Sequence, residues 1–155
     1  MLLIASFGMS GCMSGPQLTP LQQRVMQSKE LEGTYEDAFR STMAILQDKQ
    51  YIASTSDYAG GVIMAKTPRL PSSWGCTKEN EMSINVERFT ESITKIRVSI
   101  YAYFYSMAGV RLTDKYNNQI LGGSGNGPLV QDPKIYQDFY AEIQKEMFRR
   151  AQLNK

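Results

Sequence analysis

Thr94-Lys95-Ile96-Arg97-Val98-Ser99-Ile100-Tyr101-Ala102-Tyr103-Phe104-Tyr105 alternates small or apolar side chains with polar and tyrosine ones. Successive side chains of a strand point to opposite faces, so Ile96, Val98, Ile100, Ala102 and Phe104 share one face. Lys95, Arg97, Ser99, Tyr101, Tyr103 and Tyr105 share the other. An apolar face backed by a mixed polar face is the pattern of an antiparallel sheet covered by helices on one side only. Upstream, Met82-Ser83-Ile84-Asn85-Val86-Glu87 alternates strictly, and Glu91-Ser92 suits the turn between the two strands.

Two segments have the helical period needed to cover that sheet. Thr34 is a good N-cap, followed by Glu36 and Asp37 in the first turn, where negative charge is favoured. Tyr35, Phe39, Met43 and Leu46, flanked by Ala38 and Ile45, then form an apolar stripe. Asp132-Pro133 opens the second helix, because proline lacks an N–H that the first turn does not need. Ile135, Tyr136, Phe139, Tyr140, Ile143, Met147 and Phe148 form its apolar face, with Lys145, Arg149 and Arg150 toward its end. Stripes of this kind are packing surfaces, so Phe39 and Phe139 belong to the core.

Arg24 to Leu31 alternates imperfectly and is expected to be an edge strand. Residues 51–55 and 62–67 read as a hairpin turned by Ser56-Asp57-Tyr58-Ala59-Gly60-Gly61. Thr67 to Cys76, with Pro68 and Pro71, is expected to break the sheet into an irregular loop around Trp74. Residues 109–121 suggest one or two short edge strands. The glycine run from Gly122 to Gly127 reads as a mobile loop, since it lacks the Gly-Lys-Ser/Thr ending of a phosphate-binding loop. The expected fold is therefore a two-layer α+β domain, an antiparallel sheet with two helices packed on one face, in the order strand, helix, hairpin, strands, helix.

Composition bounds the function. With 155 residues, 42% hydrophobic and 21% charged, the chain is sized for one domain. A net charge of +2 from 17 basic and 15 acidic residues, with no basic stripe, argues against a nucleic-acid partner. The sequence contains no histidine. That excludes Ser-His and Cys-His nucleophilic pairs, an imidazole general base and His-ligated zinc. No cofactor or metal site is expected, and no catalytic residue can be named; the chain reads as a non-enzyme.

At the N-terminus, Leu2-Leu3-Ile4-Ala5-Ser6-Phe7-Gly8 leads into Met9-Ser10-Gly11-Cys12. An apolar run ending in small residues and a cysteine resembles the lipobox of bacterial lipoproteins. That resemblance implies acylation of Cys12, which becomes the first residue of the mature chain. Met9 stands where leucine is usual, and no basic residue precedes Cys12, so a segment upstream of Met1 is expected. The apolar run is far shorter than the ~20 residues a membrane crossing needs. Residues 1–12 are thus read as leader, 13–22 as tether and 23–155 as the domain. By the sorting rule of enterobacterial lipoproteins, Met13 in place of aspartate implies the outer membrane, with the domain on its periplasmic face. Cys76 then remains as a thiol, either buried as a small hydrophobe or linked to another chain.

Residues 34–66, beginning Thr34-Tyr35-Glu36-Asp37-Ala38-Phe39-Arg40 and ending Gly61-Val62-Ile63-Met64-Ala65-Lys66, are similar to the helix-hairpin unit of small proteobacterial envelope lipoproteins. Asp132-Pro133-Lys134-Ile135-Tyr136-Gln137-Asp138-Phe139-Tyr140 resembles their C-terminal helix. The architecture is closest to the helix-grip domain of BamC-type lipoproteins, accessories of the outer-membrane β-barrel assembly machine. The resemblance implies a structural or assembly role in an envelope protein complex, in barrel assembly or secretion. The alternative is a periplasmic carrier or sensor with a small apolar ligand between the sheet and the C-terminal helix. Trp74, Tyr101, Tyr103 and Tyr105 are the candidate partner-binding residues, since aromatics are enriched at interfaces. Cross-strand packing is the plainer explanation of the three tyrosines.

Overall fold

The computed structural model describes residues 18–71, 77–105 and 129–153. In chain order they form α1 (Pro20–Met26), β1 (Ser28–Glu32), α2 (Tyr35–Asp48), β2 (Ile52–Asp57), β3 (Val62–Lys66), β4 (Leu70–Pro71), β5 (Thr77–Arg88), β6 (Ile93–Tyr105) and α3 (Pro133–Leu153). The strands run in the order β1-β6-β5-β3-β2, with β4 added beside β5, and every pairing is antiparallel. The fold is the two-layer α+β arrangement that the alternating strand indicated. β5 and β6 form its long central hairpin, paired from Thr77↔Tyr105 to Arg88↔Thr94.

The helix face of the sheet is dry. Ile63, Ile84, Ile96 and Val98 have no measurable exposure, and Val86 and Ile100 have almost none. Against them pack Phe39 and Leu46 of α2 and Tyr136, Phe139, Ile143 and Met147 of α3. Full burial of one such aliphatic side chain contributes roughly 1.5–3 kcal/mol, so this interface supplies most of the driving force for folding. Ala38, Ser41 and Thr42 are fully buried small residues of α2. The Thr42 hydroxyl donates to the Ala38 carbonyl at 2.7 Å, which satisfies it within the helix. Thr34 caps α2 as expected, its Oγ1 accepting from the Asp37 N–H at 3.1 Å.

The chain departs from the expected strand at 24–31. Arg24 to Met26 form the last turn of a third helix, α1, which starts inside the segment expected to be tether. Its cause is local. The Thr19 hydroxyl accepts from the Gln22 N–H at 3.3 Å while the Gln22 side chain accepts from the Thr19 N–H at 2.8 Å, a reciprocal capping box, and Pro20 takes the first helical position. Only from Ser28 does the edge strand begin, pairing with Arg97.

The hairpin at 52–66 is present, with an irregularity between Ala53 and Thr55. Asp57 organises its turn by accepting from the N–H groups of Ala59 and Gly60, both at 3.0 Å. Gly61 follows at φ 69°, and a Cβ there would stand 2.2 Å from the Val86 carbonyl oxygen. The expected break after Thr67 is also only partial. Thr67 still pairs with Asn80, and Leu70 pairs with Lys78, so Pro68 and Arg69 together stand opposite Glu79. This is a bulge, a place where a sheet tolerates proline, and Pro71 lies in the two-residue β4. The expected elements in 109–121 and the glycine run at 122–127 lie outside the described residues.

The outer edge of β6 is closed in two parts. β1 covers residues 93–97, and an isolated bridge from Tyr101 to Leu129 covers the far part. Two tyrosines one turn apart on α3 hold both covers. Tyr140 donates to the Gln27 carbonyl at 2.6 Å, and Tyr136 donates to the Val130 carbonyl at 2.9 Å. On the outer side of β1, the Gln144 amide donates to Glu32 O at 3.0 Å and accepts from Glu32 N at 3.1 Å, capping an edge that would otherwise be open.

Candidate functional site

The register sets the three candidate tyrosines on the sheet face away from α2 and α3. Tyr101 stands opposite Glu81, Tyr103 opposite Glu79, and Tyr105 opposite Thr77. Tyr101 is half-buried, but Tyr103 and Tyr105 are only 4% and 3% exposed. The expectation of an exposed three-tyrosine surface is therefore corrected for these two rings. The bulge supplies part of the cover of Tyr105. It turns Arg69 over the face, where its Nε donates to Glu79 Oε2 at 3.0 Å and its guanidinium carbon lies 4.0 Å from the Tyr105 ring centre. The hydrogen bond to Glu79 is the main cause holding the Arg69 pKa above its ordinary value. Glu79, 8% exposed, thus has a charge-assisted partner, which a buried carboxylate requires.

Arg69 and Glu79 were not distinguishable in sequence from any solvated ion pair. Their signal is positional: a proline-marked bulge one strand away from the tyrosine-rich β6. Trp74, Cys76 and Cys12 lie outside the described residues. Among the described residues no group of three or more Cys, Asp or Glu side chains is placed to hold a metal ion, and no helix is long and apolar enough to cross a membrane.

A second feature follows from α1. This helix and the start of α3 enclose an open groove of about 580 Å³ whose described lining includes Leu18, Leu21, Val25, Met26, Pro133 and Tyr140. Leu21 and Val25, four residues apart and hence on one side of α1, are 72% and 69% exposed. Lys29 is the one charged residue among the described lining, which contains no carboxylate. Sequence reading misses this surface by taking 13–22 as tether; Thr19-Pro20-Leu21-Gln22 was the available signal.

A third cluster braces the β2–β3 hairpin. Tyr35 donates its hydroxyl to the Tyr58 carbonyl, and Phe39 meets Tyr58 edge-on at 5.2 Å between ring centres. Arg88 lies 5.4 Å above the Tyr35 ring. These contacts join helix, turn and strand, and they account for the cluster as packing. Between the sheet and α3, where the carrier reading places a ligand, Tyr136, Phe139, Tyr140 and Ile143 are packed into the core.

No family model and no curated protein matches the chain.

Proposed function

We propose that this chain is an outer-membrane lipoprotein, acylated at Cys12, whose α+β domain faces the periplasm. It acts there as a non-enzymatic assembly accessory within an envelope protein complex, in barrel assembly or secretion. The observation that carries the reading is Met9-Ser10-Gly11-Cys12, placed only a short spacer before the capping box at Thr19. An acyl anchor so close to a folded domain fits a protein held at a surface. The lack of histidine and the pairing of the buried Glu79 with Arg69 support a non-catalytic role. The half-buried ring of Tyr101 gives the partner surface its centre, because tyrosine combines contact area with a polar tip.

The test is a photoreactive amino acid at position 101 in intact cells. A discrete protein adduct at position 101, absent when the same group is placed at exposed Ser56, is the expected result. No adduct at position 101, with the domain folded and present in the envelope, would remove this face from the proposed contact.

A further inference from the structure

We propose that the groove between α1 and the first turns of α3 is a membrane-docking surface. It lays Leu18, Leu21 and Val25 against the interface of the anionic bilayer in which the acyl chains of Cys12 are inserted. This rests on the lipoprotein reading of Cys12 and adds to it an orientation of the domain on the membrane.

Reach favours this surface over the exposed apolar side chains toward the far end of α3. The six residue steps from Cys12 to Leu18 extend at most roughly 20 Å, and the segment ends in the lining of the groove. Phe148 and Leu153 are also exposed, at 52% and 70%, but they lie at the opposite end of the 21-residue α3. A helix of that length spans about 30 Å, so Leu153 reaches the interface together with the tether end only if α3 lies flat on it. The exposed apolar side chains that follow the anchor most closely along the chain are those of α1.

Chemistry points to the same occupant. An interfacial helix places apolar side chains into the headgroup boundary and basic ones beside the phosphates. Here Leu21 and Val25 are the exposed apolar pair, Arg24 lies beside them in the last turn, and Lys29 lines the groove without an accompanying carboxylate. The short helix is already formed by its capping box, so docking does not require a segment to fold at the membrane. Acyl anchoring alone leaves a domain free to tumble about its tether. A second contact at the interface limits that motion and keeps the sheet face bearing Tyr101 in a fixed relation to the membrane.

The experiment uses the full acylated chain in a Cys76→Ala background, with one cysteine introduced as Leu21→Cys, Val25→Cys or Leu153→Cys. Each carries an environment-sensitive fluorophore and is reconstituted into vesicles of phosphatidylethanolamine with phosphatidylglycerol. Labels at 21 and 25 are expected to shift to the blue and lose access to aqueous iodide, while the label at 153 keeps it. If the chain floats with the vesicles but positions 21 and 25 remain as open to iodide as 153, docking is refuted and the anchor stands. If the chain does not float with the vesicles, the lipoprotein reading fails and docking with it. Labels already shielded before vesicles are added, with a doubled mass in solution, would assign the groove to a second copy and overturn the proposal.

Discussion

Replacing Tyr136 by Phe should destabilise the domain more than replacing Tyr140 by Phe, although each change deletes one buried hydroxyl. The Tyr140 hydroxyl donates to Gln27 O, and that carbonyl also accepts from the Val98 N–H at 2.7 Å. Its loss leaves the carbonyl with a partner, so only the net worth of one hydrogen bond disappears, about 1 kcal/mol. The Tyr136 hydroxyl has two roles. It donates to Val130 O at 2.9 Å and accepts from the Ile100 N–H at 3.4 Å, in the gap between the two segments that cover the outer edge of β6. The Ile100 carbonyl is taken by Val130 N, but its N–H points at the phenol. Phenylalanine would strand that N–H in a buried setting, and an unsatisfied buried donor costs about 1–3 kcal/mol. The expected total for Tyr136→Phe is therefore about 2–4 kcal/mol. Urea denaturation followed by circular dichroism reads both changes as a lowered midpoint with unchanged slope. Equal losses, or a Tyr136→Phe loss within about 0.5 kcal/mol, would refute this account of the β6 edge.

Phe39→Ala and Phe139→Ala should each cost on the order of 3–5 kcal/mol in the same assay, since the rings are 6% and 2% exposed in the core; losses typical of surface sites would misplace the helix faces. Gly61→Ala should cost more than about 1 kcal/mol, because a positive φ and the Val86 carbonyl both oppose a side chain there. A neutral Gly61→Ala in thermal unfolding would contradict the turn geometry. Burial is the main cause raising the phenol pKa values of Tyr51, Tyr136 and Tyr140 above their ordinary 10.0. The stability this gives is complete below pH 10.0 and is lost as pH rises through the raised values, so the unfolding midpoint should fall in that alkaline range. Tyr140→Phe should flatten part of the fall, and an unchanged slope would show that this phenol is not buried as described.

The strand patterns at 82–87 and 94–105 were legible because a two-residue period specifies which side chains share a face, and one apolar face implies a covering layer. Thr34 and Asp132-Pro133 marked helix starts for equally local reasons. α1 is also written locally, in Thr19, Pro20 and Gln22, but the weak alternation over 24–31 is a competing strand signal that overlaps its last turn. The burial of Tyr103 and Tyr105 has a different origin. Alternation assigns them to a face, yet the cover includes Arg69, more than thirty residues earlier, delivered by a bulge that pairs Pro68 and Arg69 with Glu79. Such long-range cover has no periodic trace. The groove beside α1 depends in the same way on the meeting of residues 18–29 with the start of α3, which only the folded chain brings together.

Mass spectrometry of the mature N-terminus, on protein expressed from its natural locus and taken from the membrane fraction, tests the central claim most directly. The account predicts a chain beginning at Cys12 with that residue acylated, and its transfer to the soluble fraction in Cys12→Ala cells. A soluble wild-type chain whose Cys12 is unmodified and preceded by Gly11 would contradict it.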